Sequence, residues 1–202
     1  KYQYSNTGYI LLGQIIEQIS KTKIDEYLKE KIFTKAKLFN TYVNDEGKTI
    51  IPNRAYGHII SNNQLIVKDQ YWCSATIGDG GLYSNIIDLN RWIDYLLNDV
   101  FDKLKSTMFL PNVFDEKTQS YYGLGIRIIN VNGCDIYYHC GDTIGTNTFI
   151  LFSKDLNLRC IFLTNMGNID TENLKENIIH LMDNHHFEVV RHDITFPYSA
   201  EV

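Results

Sequence analysis

This 202-residue sequence has no surplus of basic charge, no long apolar run and no cysteine pattern suited to a metal. Its 19 Lys and Arg stand against 24 Asp and Glu, a formal net charge of −5. That balance lacks the electrostatic term on which non-specific nucleic-acid binding depends, so nucleic acid is not an expected partner. No stretch approaches the ~20 consecutive apolar residues needed to cross a bilayer, so no membrane span is expected. Cys73, Cys134, Cys140 and Cys160 form no C-x-x-C and no Cys/His spacing of the zinc-binding kind. In one extended segment, Cys134 and Cys140 would share a face yet lie too far apart to bridge, and the four cysteines read as free thiols. Internal repeats and low-complexity tracts are absent. The opening Lys-Tyr-Gln-Tyr carries no initiator Met, basic n-region or apolar h-region, so the sequence reads as a mature or excised piece.

What remains is the composition of a folded domain. Hydrophobic residues make up 44%, aromatics 13% and charged residues 21%, too apolar for a disordered chain. At about 150 residues per domain, residues 1–202 read as one domain segment. Residues 1–110 form a mainly helical lobe, and 121–187 an antiparallel sheet with a C-terminal helix. Tyr9, Leu12, Ile15, Ile16 and Ile19 recur at helical spacing over 7–20, and a second helix is expected over 24–33. Residues 34–84 read as mostly irregular, with short extended pieces at 54–60 and 64–68. Fifty residues without long elements usually line a functional surface. The period over 85–98 is again helical, through Ile86, Leu89, Ile93, Leu96 and Leu97.

From there the period changes to that of strands, at 122–130, 134–140, 146–153 and 158–165. Asn132-Gly133 is the favoured two-residue hairpin signal between the first two strands, and Ser153–Asn157 supplies another turn. The third and fourth strands are apolar on nearly consecutive residues, which implies burial on both faces. A helix over 171–187, capped by Asp170, closes the pattern. The fold class is therefore α+β, an antiparallel sheet flanked by helices. An apolar last strand should not leave its edge bare, so a missing segment or a second copy is expected to cover it.

Several short polar motifs fall at element boundaries. Tyr4-Ser5-Asn6 precedes the first long helix, and Gly80-Gly81-Leu82-Tyr83-Ser84 precedes a helix containing Asp88-Leu89. Tyr122-Gly123-Leu124-Gly125 follows, and then His139-Cys140-Gly141 with Gly145 beyond it. Any one of these arises easily by chance in a chain of this length. In this order they resemble the penicillin-recognising serine hydrolases: class C β-lactamases, D-alanyl-D-alanine carboxypeptidases and related esterases. The resemblance runs over roughly residues 2–182. It implies a β-lactamase/transpeptidase-like fold and acyl transfer to a serine, followed by hydrolysis of a peptide, ester or β-lactam, without metal or cofactor.

By the resemblance, Tyr4 would pass a proton between nucleophile and leaving group, and Asn6 would hydrogen-bond the substrate amide. His139 would take the strand position that is lysine in many members. Gly141 would let the substrate backbone approach, and the Asp142 N–H would serve as an oxyanion donor. The family's Ser-x-x-Lys lies well before Tyr-x-Asn. The only literal match here, Ser20-Lys21-Thr22-Lys23, comes after it and reads as a polar helix terminus. The expectation is a C-terminal portion that lacks its N-terminal strands and nucleophile helix. The alternative is a non-catalytic peptidoglycan- or partner-binding module on the same fold.

His139 brings one consequence of its own. An imidazole with an ordinary pKa near 6.5 is a conditional cation where lysine is a permanent one. Dependence on a free substrate carboxylate should therefore be weak.

Other residues carry readings of their own. Asp79–Gly81 is either a turn or a wall of the site, and Trp72 and Tyr83 either line a cleft or pack at its rim. His185-His186 suit a helix dipole rather than a metal. Expected partners are a small-molecule or peptide substrate and, through the sheet edge, self-association or pairing with the missing segment. Extracytoplasmic location is implied by the resemblance only.

Overall fold

Ser5 sits in extended backbone, and its hydroxyl accepts from the Gly8 N–H at 3.1 Å. The helix that follows, α1 (Asn6–Ser20), therefore starts from a satisfied cap and ends where Lys21 turns left-handed. The structure is a computed structural model and describes residues 2–44, 49–70, 77–98 and 107–184. The expectations for Trp72, Cys73, His185-His186 and the end of the last helix at 185–187 lie outside the described residues.

The second helix, α2 (Ile24–Leu28), runs further than its periodicity suggested. It continues through a π-helical turn (Lys29–Phe33) and a last turn (Thr34–Ala36) before Lys37 stops it at φ 58°. The wider turn turns Phe33 and Ala36 inward, where they pack with Leu38, Val43 and Tyr95. The middle of the chain is less irregular than expected. Strand β1 (Tyr42–Val43) pairs with β4 (Leu82–Tyr83), while β2 (His58–Ser61) and β3 (Gln64–Val67) form a hairpin. Asn62 and Asn63 both take positive φ, as the tight hairpin turn demands.

Asn85 caps α3 (Ile86–Leu97) by accepting from the Asp88 N–H at 2.9 Å. Asp88 itself is fully buried. Its carboxylate accepts from Asn40 N at 2.6 Å, Thr41 Oγ1 at 3.0 Å and Arg91 Nη1 at 3.0 Å. The Gly-Gly-Leu-Tyr-Ser-x-x-x-Asp motif thus fastens α3 to the segment before β1.

The main sheet has six strands where four were expected. In chain order they are β5 (Val113–Asp115), β6 (Ser120–Tyr122), β7 (Arg127–Val131), β8 (Cys134–Thr143), β9 (Thr146–Ser153) and β10 (Leu158–Thr164), each antiparallel to the next. The two additional strands are three residues long, too short for an alternation to register. Tyr122 belongs to β6, because Gly123-Leu124-Gly125 turns the chain there, with Gly125 at φ 77° and Gly123 N donating to Ile126 O at 2.8 Å. Asn132-Gly133 makes the β7–β8 turn as anticipated.

Helices cover both faces. Along β8 and β9, Ile136, Tyr138, Phe149 and Leu151 face α4 (Thr171–Asn184) through Leu174 and Ile178. The alternate residues Tyr137, Ile150 and Phe152 pack with Ile93 and Leu96 of α3. Each fully buried Phe or Leu contributes about 1.5–3 kcal/mol, so this strand pair anchors the fold. Asp170 caps α4 through Asn173 N at 3.0 Å. Strand β10 holds one end of the sheet, and among the described strands only β9 pairs with it. The apolar stripe of α1 is present but open to solvent: Leu12 is 51%, Ile15 50% and Ile19 79% exposed. No helix among the described residues is long and apolar enough to cross a membrane.

Candidate active site

Strand β8 is longer than its sequence signal, because Gly145 lets the chain reverse tightly and pairing continues to Thr143↔Thr146. His139, Gly141 and Asp142 therefore lie within the strand. Strand β7 pairs with β8 only from Cys134 to Tyr138. From His139 to Thr143 the outer edge of β8 has no strand partner among the described residues, which leaves its backbone groups, apart from the Cys140 carbonyl taken by the His139 ring, without a strand to bond.

Tyr4 and His139 meet at this edge. Their ring centroids are 6.4 Å apart, and Tyr122 completes a triangle at 6.1 Å from Tyr4 and 6.4 Å from His139. Tyr2, Tyr4, Ser5, Gly8, Leu12 and Tyr122 line an open cleft of about 230 Å³ beside them. Asn6 opens α1, exposed, on the turn between Ser5 and Gly8 that borders the cleft. Gly141 pairs with Thr148, whose Oγ1 would stand 2.5 Å from any Cβ placed there. A side chain at 141 would therefore require the Thr148 hydroxyl to move aside. The Asp142 carboxylate accepts from Asn147 Nδ2 at 3.0 Å, which leaves its N–H as the group of interest.

The electrostatics follow from burial. Desolvation lowers the His139 pKa below its ordinary value; its ring hydrogen bond to the Cys140 carbonyl opposes this, and the nearby Arg127 charge adds to the lowering. Nδ1 must donate to the Cys140 oxygen, 2.8 Å away, because a carbonyl only accepts. Burial also raises the Tyr4 phenol, against a lowering by Arg127, so Tyr4 keeps its proton at neutral pH. Arg127 is itself engaged, by Asp115 at 2.9 Å, Thr118 Oγ1 at 2.6 Å and Ser120 Oγ at 3.1 Å.

Residues 1–180 match the family model described as Beta-lactamase. The chain belongs to the Beta-lactamase family. It is 28% identical over 187 residues to penicillin-binding protein 4* of Bacillus subtilis, a match covering 85% of this chain and 41% of that protein. It superposes on the octameric penicillin-binding protein homologue from Pyrococcus abyssi with a TM-score of 0.77, at 24% identity over 90% of this chain and 42% of that one. For the D-amino acid amidase from Ochrobactrum anthropi SV3 the TM-score is 0.69, at 18% identity over 91% of this chain and 62% of that one. The chain spans about two-fifths of the length of the curated penicillin-binding relatives it matches. The family identity read from the motifs and the α+β fold read from the order of helices and strands both hold, and the family is one of serine hydrolases.

Within this Beta-lactamase-family chain, Ser20 and Lys23 stand far from Tyr4. They lie at the opposite end of the 15-residue α1, about 22 Å away at 1.5 Å per residue. Ser20 Oγ accepts from the Thr22 N–H at 3.2 Å, and Lys23 Nζ is 3.9 Å from Glu17, so this match is a helix terminus. The sequence holds a second Y-x-N, Tyr42-Val43-Asn44, and there Asn44 is buried, bonding Gly81 O through its N–H and Gln70 through its side chain.

The Gly78–Gly81 run abuts α1. Gly78, at φ 117°, packs against the Tyr9 carbonyl, and Asp79 is close enough to raise the Tyr4 pKa. Tyr83 lies under the Arg54 guanidinium, 4.7 Å from its ring centroid, and packs rather than lining the cleft. Cys134, Cys140 and Cys160 are free thiols. No cluster of three or more His, Cys, Asp or Glu among the described residues could hold a metal. Tyr122 was not singled out from the sequence, although its Tyr-Gly-Leu-Gly motif was visible.

Proposed function

We propose that this chain supplies the proton-relay wall and the substrate-strand wall of a serine acyl-transfer site, whose nucleophile and general-base lysine come from a Ser-x-x-Lys segment outside this sequence. The observation that carries the reading is the meeting of Tyr4 and His139, 135 positions apart, at the unpaired edge of β8. A peptide, ester or lactam would lie along His139–Thr143 as an added strand, with its reacting carbonyl near the Asp142 N–H. Tyr4 keeps its proton at neutral pH, which suits donation to a leaving group. To accept a proton from serine it needs the cation that a neighbouring lysine would bring. Asn6, on the bordering turn, is in a position to bind the amide of the acyl portion.

The same environment bears on substrate charge. His139 is held neutral, and Arg127 is paired with Asp115, so neither offers a substrate carboxylate a free cation. Burial lowers the pH at which this imidazole would gain even its conditional charge. Neutral amides and esters fit this wall better than substrates that depend on a carboxylate anchor.

The test uses a fluorescent penicillin and an activated ester, read by intact mass. The 202-residue chain should form no covalent adduct. The full-length protein should form one on its upstream serine, and Tyr4→Phe should slow turnover by about 10²–10⁴-fold, the range for loss of a positioned acid–base group. An adduct on the 202-residue chain would overturn the assignment of the nucleophile. A full-length protein without Ser-x-x-Lys that binds the probe reversibly would replace catalysis with the binding-module reading.

A further inference from the structure

The imidazole of His139 has two nitrogens, and the fold commits both. Nδ1–H donates to the Cys140 carbonyl, so in the neutral ring Nε2 carries the lone pair. The Tyr122 hydroxyl lies 3.3 Å from Nε2 and can only be its donor in that form. Tyr122 is well suited to the part. It is 5% exposed, and burial raises its phenol far above the ordinary value, so it does not ionise in any ordinary buffer.

Its ring is fixed from several sides. Tyr2 packs against it at 5.3 Å, the edge of Tyr4 meets it at 6.1 Å, and the Arg127 guanidinium covers it at 5.3 Å. Arg127 is in turn locked to Asp115, Thr118 and Ser120.

We propose that Tyr122 is a positioning residue: its hydroxyl donates to Nε2 of His139 and holds the imidazole, as the Nδ1–H tautomer, against the Tyr4 ring. His139 then acts as a fixed neutral group beside the cleft rather than as a proton shuttle, because its single lone pair is occupied. Tyr122 reaches the reaction only through His139 and Tyr4. The groups facing His139 are Tyr4 from the N-terminal segment, Tyr122 from β6 and Arg127 from β7. On the neighbouring residue, the Cys140 thiol donates to Glu172 of α4 at 3.7 Å, and the Lys175 charge acts on that thiol. The catalytic consequence rests on the function proposed above, but the hydrogen bond does not.

The test is nitrogen-15 NMR of the full-length protein labelled at histidine, with the His139 signals identified by their loss in His139→Gln. In the unaltered chain, Nε2 should resonate as a lone pair that accepts a hydrogen bond, and Nδ1 as a protonated nitrogen. Tyr122→Phe keeps the ring and deletes only the donor. It should move Nε2 toward the position of an unbonded lone pair and leave Nδ1 in place. Tyr121→Phe, one residue along and exposed, should move neither.

A protonated Nε2 at neutral pH in the unaltered chain overturns the proposal, as does an Nε2 signal unchanged by Tyr122→Phe. The unaltered spectrum is decisive by itself should Tyr122→Phe not fold. In the full-length enzyme, Tyr122→Phe should lower kcat for esters about tenfold with little change in KM, whereas a merely structural loss would reduce the active fraction without moving Nε2. Failure of the acylation test with the NMR result intact would sink the hydrolase reading and leave the Tyr122–His139 pair standing.

Discussion

Replacing Gly145 with alanine should cost far more than the same change at Gly133, although both glycines sit in hairpin turns at positive φ, 73° and 84°. The shared penalty is conformational, about 1–2 kcal/mol for an L-residue in the left-handed region. At Gly133 nothing lies within 4 Å of a built Cβ, so that penalty is the whole effect. At Gly145 the Cβ collides with the Lys68 carbonyl oxygen and comes within 2.8 Å of Gly57 Cα and its carbonyl carbon. Gly167 crowds the same point, with its own Cβ position 2.9 Å from Gly145 Cα.

These neighbours are backbone atoms from separate segments, so no rotamer can yield. The hairpin tip would have to lift, with overpacking worth about 1–3 kcal/mol. The bond from His58 N to Gly145 O at 3.1 Å would go too, at about 1 kcal/mol. Gly145→Ala should therefore lose roughly 3–6 kcal/mol, or about 6–24 °C in Tm for a domain of this size. Thermal unfolding followed by circular dichroism measures both variants. Equal losses at the two positions would refute the packing argument and reduce Gly145 to an ordinary turn glycine.

Asp88→Ala strands three donors around a buried carboxylate position and should destabilise by about 3–5 kcal/mol, read as a lowered urea midpoint; Asp88→Asn, which keeps an acceptor for Asn40 and Thr41, should lose less. His139 contributes to acid sensitivity. Its folded-state pKa is depressed, so as pH falls the unfolded chain takes up the proton first. The stabilisation is complete above about pH 6.5 and is lost as pH falls toward the folded value. His139→Gln should flatten that part of the stability–pH curve, and an unchanged acid limb would mean that the imidazole is not held neutral.

The parts of the fold legible in sequence were those in which one segment carries its own signal. Helix α3 announced itself by period, and β7–β8 by Asn132-Gly133. Helix α4 did so by Asp170. What escaped depended on partners distant in sequence. Strands β5 and β6 are too short to show alternation and exist because each has a neighbour. The reach of β8 to Thr143 is set by pairing with β9 through a turn that Gly145 permits. The α1 stripe was readable as a pattern, but its exposure was not, because a period says which residues share a face and nothing about what covers it.

The site divides along the same line. Tyr4 and His139 stood in motifs whose order pointed to a shared pocket, and their rings do meet. Tyr122 stood in a motif as well. A tyrosine between turn residues, however, gives no hint that its hydroxyl will reach a histidine two strands away in the sheet. The charge state of His139 was likewise only half visible. The residue type allowed a conditional cation, and burial together with the Arg127 charge moves its appearance to lower pH. A lysine at this position would bring a permanent charge beside Arg127 into a desolvated corner, at a cost of several kcal/mol unless an anion joined it. Histidine, donating to Cys140 and accepting from Tyr122, completes the same strand edge with no net charge. A wall of that kind recognises a substrate by backbone hydrogen bonds and ring contacts. Selectivity should therefore follow the shape of the acyl group more than the charge at its end.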